Sequence, residues 1–317
     1  MKALVTGGTG FIGTHLVEAL LENGYSVRLL VRETSKLEFF KDKNLELLYM
    51  GLNDVEKLRE ATKDVDIVFH LAGILGGPEV KDEDLEKVNV QGTENLLKAS
   101  VGKRFLYLGA GAAMGDVPDG SNEKTKCNPT SPYGWSKYNA EQKVKKLNTN
   151  YTIIRSTMCY GPREMSSKLP LIKMIKKGWF MIIGNGKNET NWVYVENLVT
   201  SIILAAESKK AIRETYIIGD EKPVSMNEVA YIMADELGVK RPKHLPTFIA
   251  YMAAIFFEII SKIIKFKPPI FRERVKSLTL HRIFDTSKAK EIGYKPLMSF
   301  KEAMKKTIAW YKEEGLL

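Results

Sequence analysis

The 317-residue chain contains only two cysteines, Cys127 and Cys159. Two thiols make neither a disulfide framework nor a cysteine-based metal site, so no metal is expected and a reducing compartment is. An uninterrupted membrane-length apolar run is also missing. The most apolar stretch, Thr247 to Ile264, has sixteen uncharged residues broken by Glu258 and Lys262, too short and too interrupted for a spanning helix. The first residues already read as an apolar strand, which leaves no room for a secretory signal and makes the cytoplasm the expected location. There is no internal repeat and no low-complexity segment.

Acidic residues are scarce where basic ones gather. Between Lys240 and Arg282 ten basic side chains, among them Lys262, Lys265, Lys267, Arg272 and Arg274, meet only Glu258 and Glu273. That surplus of eight accounts for most of the net charge of +10. No nucleic-acid module accompanies it, which argues against nucleic acid as a partner. A solvated face, an anionic substrate and an anionic membrane surface stay open. The helix expected at 247–264 is read as a core element of a smaller lobe, with peripheral membrane attachment as the alternative.

What is present begins at residue 1. MKALVTGGTGFIGTHLVEALLENG places a short apolar strand before Gly7, Gly10 and Gly13, and a helix pattern after them. Glycines let a backbone turn tightly and approach a pyrophosphate, and the helix start turns free N–H groups toward it. The context, strand before and helix after, makes this a dinucleotide-binding opening. Ser26–Val31 reads as a second strand ending at Arg32, a position that meets the adenosine ribose. Arginine there pairs with a 2′-phosphate and tilts the expectation from NAD to NADP, although Glu33 follows. Further strands are expected at 45–50, 66–71 and 104–108, with helices between them, hence a parallel doubly wound sheet. The strand at 66–71 leads into Ala72 and Gly73, whose small size lets a cofactor cross its end. His70, inside that apolar strand, reads as a core histidine.

Tyr133 and Lys137 open a further helix four residues apart, so they share one face. An ammonium there favours the tyrosinate, which takes a hydroxyl proton while hydride leaves carbon. TGGTGFIG at 6–13, DIVFHLAG at 66–73, Asn89 with Gly92, YGWSK at 133–137, IIRSTMCYGP at 153–162 and NWVYVEN at 191–197 together resemble the extended short-chain dehydrogenase/reductase family. The likeness covers essentially the whole chain. That family includes NDP-sugar epimerases and dehydratases, dihydroflavonol-type reductases and 3β-hydroxysteroid dehydrogenase-like enzymes.

The resemblance implies a Rossmann-type α/β domain, residues 1–160 and 187–219, with a smaller C-terminal substrate lobe, residues 161–186 and 220–317. It implies an NAD(P)-dependent oxidoreductase or epimerase acting on a secondary alcohol or ketone, with a homodimer formed through the helices at 89–100 and 133–147. The expected substrate is an NDP-sugar or an apolar, sterol- or dihydroflavonol-like alcohol. Tyr133 and Lys137 are the expected catalytic pair. Expected cofactor contacts are Gly7, Gly10, Phe11, Ile12, Gly13, Arg32, Leu52, Leu71, Ala72, Gly73 and Asn89, together with that pair. Expected substrate contacts are Tyr160, Asn191, Arg272 and Arg274, the two arginines suiting a diphosphate.

Three positions depart from the family pattern. The serine or threonine that holds the substrate oxygen falls on Ala110, and no serine or threonine lies between Leu106 and Gly120. Its loss removes a hydrogen bond where charge develops, a cost of about 3 kcal/mol in barrier. Thr130 and Ser131 are the nearest substitutes in sequence. Gly51 stands where the family has an aspartate, and Met114 where it has a tyrosine, both near cofactor or substrate. Ala110 keeps a rival reading open: a dinucleotide-binding protein without turnover, with a structural or redox-sensing role.

Overall fold

Seven short strands, each followed by a return segment on one face or the other, form the first of two units into which the chain divides. The computed structural model describes residues 1–77, 79–264 and 271–317. Lys265 and Lys267 lie outside the described residues, as do the side chains of Lys262 and Glu273. The strands are β1 (Lys2–Thr6), β2 (Ser26–Val31), β3 (Leu45–Tyr49), β4 (Ile67–His70), β5 (Arg104–Ala110), β6 (Tyr151–Ser156) and β7 (Glu214–Ile218). They lie in the order β7-β6-β5-β4-β1-β2-β3, all parallel. The strand order reverses between β1 and β4, which opens a crevice at their carboxyl ends, where a doubly wound sheet takes its ligand.

Each strand is near-continuously apolar because both faces are covered. One face packs against α1 (Phe11–Glu22) through Leu16, Val17 and Leu20, with Leu198 and Ile202 alongside. The other packs against α2 (Val55–Thr62), α3 (Gly92–Ala99) and α4 (Pro132–Leu147) through Leu58, Leu96, Leu97, Ala140 and Val144. Glu94 ties α3 to α4 through Lys143, 2.5 Å away.

The first unit comprises Met1–Cys159, Val193–Gly219 and Phe284–Leu297, and the second comprises Tyr160–Trp192, Asp220–Ile283 and Met298–Leu317. This differs from the expected division in three places, the first being Tyr160, which falls in the second unit. Residues 187–192 fall in the second unit, and 284–297 return to the first. The return is driven by packing: Ala289, Ile292 and Tyr294 enter the first unit's core, and the Tyr294 hydroxyl donates to the Gly219 carbonyl at 3.1 Å. Nothing in local composition marks that docking.

The second unit is mainly helical, with helices at Lys168–Lys176, Met226–Leu237, Thr247–Ile264, Arg272–Leu278 and Phe300–Glu313. Two of them start on reciprocal capping boxes, Ser225 with Glu228 and Ser299 with Glu302. Among the described residues no helix is long and apolar enough to cross a membrane.

Candidate active site

The glycine opening is shaped by close approach. Gly7 adopts φ +71°, and a Cβ there would lie 2.5 Å from the Ala72 nitrogen. Only glycine lets the end of β1 pass the end of β4 at that distance. A Cβ on Gly13 would lie 2.2 Å from the Gly7 carbonyl, so α1 starts directly against the turn. Gly10, the N-cap residue of α1, has no side chain to cap the helix, and the first turn carries no acidic residue. The N–H groups of Phe11, Ile12 and Gly13 therefore face the crevice without a side-chain acceptor, which fits a pyrophosphate.

The floor beside it is held by a relay that pattern reading missed. Thr6 accepts a hydrogen bond from the Ala72 N–H at 3.3 Å, and its hydroxyl meets His70 Nδ1 at 2.6 Å. His70 Nε2 meets Thr93 Oγ1 at 2.8 Å, and Thr93 donates to the Asn89 carbonyl at 2.6 Å. Because the last acceptor is a carbonyl, the chain closes with His70 neutral and its proton on Nε2. Burial and then the Lys137 charge push the imidazole down to about 3. His70 is the satisfied core histidine that its apolar strand implies.

Asn89 lies on a π-helical stretch, Glu86–Gln91, and is 1% exposed. Its amide grips the Ile74 backbone at both ends, accepting from N–H at 2.8 Å and donating to C=O at 3.1 Å, and also donates to Ser136. It thus holds the loop that follows Leu71, Ala72 and Gly73. Asn95 does the same for the loop after β3, donating to the Leu52 carbonyl at 2.8 Å. Arg32 is exposed at the end of β2, in a turn closed by Ser35.

α4 begins with Ser131 as N-cap, accepting from the Gly134 N–H, and Pro132 in the first turn. A Cβ on Gly134 would lie 2.6 Å from the Ala112 carbonyl, so glycine lets the helix meet the turn after β5. Gly76 packs against the Tyr133 side chain. Burial raises the Tyr133 hydroxyl to about 12. Lys137 is 6% exposed, donates to the Leu108 carbonyl at 3.0 Å and lies 5.1 Å from the Tyr107 ring centre. Burial lowers it to about 8, against the attraction of Glu141. The acidifying influence of Lys137 on the phenol, expected from their spacing, does not register here: burial alone sets Tyr133, and the ammonium is turned to Leu108. One turn further, Glu141 forms a fully buried ion pair with Arg155 on β6.

Two expected substitutes for the missing hydroxyl are placed elsewhere. Ser131 caps α4, and exposed Thr130 lines an open hollow of about 580 Å³ with Asp82, Gln91 and Trp135. Ala110 instead pairs in register with Ser156, at the carboxyl ends of β5 and β6. Paired residues of neighbouring strands share a face. The Ser156 hydroxyl takes no hydrogen bond among the described residues and is partly exposed. Met114 was expected near cofactor or substrate. It is 0% exposed, under Arg155 and beside Phe284, and acts as core. The other expected substrate contacts belong to the second unit. Tyr160 is buried, with its hydroxyl on Asp220 at 3.1 Å, and Asn191 is buried. Arg272 is paired with Glu258 at 2.8 Å, and Arg274 is partly exposed.

Residues 3–219 match the family model described as the NAD dependent epimerase/dehydratase family. The chain belongs to that family. It is 27% identical to an N-acetyl-alpha-D-glucosaminyl-diphospho-ditrans,octacis-undecaprenol 4-epimerase of Escherichia coli O157:H7, covering 98% of this chain and 95% of the relative. It is 29% identical to the decarboxylating sterol-4-alpha-carboxylate 3-dehydrogenase of Mus musculus, covering 97% and 90%. A crystal structure of UDP-glucose 4-epimerase from Thermotoga maritima superposes with a TM-score of 0.77 at 25% identity, covering 99% of both chains. The protein is a nicotinamide-dependent enzyme of the extended short-chain dehydrogenase/reductase type, and the reading without turnover finds no support among these relatives.

Proposed function

We propose that Tyr133 exchanges a proton with the oxygen of a secondary alcohol or its ketone in the crevice at the β1/β4 switch point. The observation that carries this reading is the convergence, within one unit, of an uncapped glycine-started helix, a clamped β4 exit loop, and Tyr133 with Lys137. A bound nicotinamide dinucleotide supplies the hydride acceptor or donor. Gly7, Gly10, Phe11, Ile12 and Gly13 hold its pyrophosphate, Arg32 and Leu52 lie toward its adenosine end, and Leu71, Ala72 and Gly73 let it cross the sheet edge. Asn89 positions that exit loop, and Lys137 holds the far ribose. Arg32, exposed at the strand end with Glu33 following it in the same turn, favours a 2′-phosphate and hence NADP.

With its hydroxyl near 12, Tyr133 rests protonated at neutral pH and is ready to donate in the reducing direction. The oxidising direction needs positive charge beside it, and Lys137 is the cation on that face of α4. Ser156 takes the part of the hydroxyl absent at Ala110, since it stands beside that residue on the same face.

The substrate class is an NDP-sugar, with Arg272 and Arg274 as its contacts in the second unit; Tyr160 and Asn191 are buried and serve the packing of that unit. A lipid-like alcohol is the second reading, favoured by the exposed apolar face of Thr247–Ile264. The same proposal includes a peripheral membrane contact through that helix. It also includes a homodimer through α3 and α4, where Trp135 stands 49% exposed beside the hollow.

The test is mass spectrometry of small molecules released on denaturing the purified protein, followed by fluorescence titration with NADH and NADPH. Retained NAD points to an epimerase that recycles its cofactor and overturns the NADP preference. An empty protein preferring NADPH points to a reductase. Binding of neither overturns the reading. Tyr133→Phe is expected to keep nucleotide binding and lose turnover by about 10²–10⁴-fold.

A further inference from the structure

The helix Thr247–Ile264 buries very little of its apolar surface. Ala250 and Ala254, one turn apart, are 0% exposed and pack with Ile183 and Val275. Away from them, Phe248, Met252, Phe256 and Ile259 are 69%, 66%, 59% and 57% exposed, with Ile249 and Ile255 at 42% and 40%. The spacing 248, 249, 252, 255, 256, 259 draws one continuous stripe along three turns. A monomer rarely leaves so many large side chains together in water. Glu258, the only acidic residue on the helix, is neutralised by Arg272. In sequence the region from 240 to 282 carries a basic surplus of eight, and of its basic residues Lys240, Arg241, Lys243, Arg272, Arg274, Lys276 and Arg282 are among the described side chains.

We propose that this face seats the protein on an anionic lipid bilayer, with the helix lying in the plane of the interface. The six apolar side chains enter the headgroup–acyl boundary, and the basic surplus of the surrounding region favours acidic headgroups. The helix fails as a spanning segment, so an in-plane pose is the one that covers the stripe with lipid. A second copy is a poorer occupant, because a twofold contact would press two basic surpluses together. The proposal rests on the peripheral contact proposed with the function and not on the catalytic assignment.

The experiment is flotation of the purified full-length protein with vesicles of phosphatidylcholine alone or mixed with phosphatidylglycerol, at low and high salt. The protein is expected to float with the mixed vesicles. Floating should fall about tenfold with phosphatidylcholine alone or in high salt. The triple variant M252S/F256S/I259S is expected to lose about a hundredfold in partitioning, and F256S alone about fivefold. Both should keep the wild-type melting temperature and NAD(P)H titration, because these side chains contribute little to the core. Wild-type protein that stays unbound, or variants that float like wild type, would overturn the proposal. So would a dimer that the triple variant splits while no form floats, since a second copy then covers the stripe. Loss of nucleotide binding with flotation intact would count against the catalytic reading only.

Discussion

At residue scale, Lys137 connects burial to pH dependence. Its folded value near 8 means that the ammonium is present below about pH 8 and lost above it. The free-enzyme profile of kcat/KM is therefore expected to fall above about pH 8. In Lys137→Arg that limb should disappear, since a guanidinium stays charged, although the rate is lower at every pH. A profile whose alkaline limb survives in the arginine variant would remove Lys137 from this role. Ser156 is open to a rescue test. Ser156→Ala should lower kcat by about 10²-fold, with KM little changed. Adding Ala110→Ser should restore much of the loss, because the two positions are register partners. Failure of the rescue would make Ser156 a structural serine.

At the scale of the element, β4 and its exit loop form a hydrogen-bonded unit centred on His70. The imidazole is near 3 in the folded chain and near 6.5 when unfolded. Between those values the unfolded chain binds the additional proton, so stability falls as pH drops from 6.5 toward 3. The contribution is at most about 1.4 kcal/mol per pH unit. Urea unfolding at a series of pH values should show a shallower acid slope for His70→Gln than for the wild type. Equal slopes would mean that His70 takes up its proton without unfolding. The length and period of β4 were readable from 66–71, as was a core role for its histidine. Its partners were not, because Thr6 and Thr93 are brought to it from two separate segments, Thr93 with Asn89 one turn before it.

At the scale of the whole molecule, nucleotide binding and stability are linked. NADPH or NADH at a hundred times its Kd should stabilise the native chain by about 2.7 kcal/mol, read as a rise in melting temperature. The nucleotide giving the larger rise at equal concentration also reports the preference assigned to Arg32. No rise with either would remove the glycine opening as a binding site.

Periodicity and spacing determined the parallel order of strands and helices, the glycine opening and the Tyr133–Lys137 face. Each follows from local backbone geometry: a strand alternates, a helix repeats, and glycine is needed where two backbones meet. Tertiary structure alone decided the return of 284–297 to the first unit, the pairing of Ala110 with Ser156, and the burial of Met114 beneath Arg155. It also turned the apolar side of Thr247–Ile264 outward, where its composition had implied a core helix. In the first three cases the deciding partner lies far along the chain. Local pattern specifies what a segment becomes, and packing selects which of its faces is covered and by what.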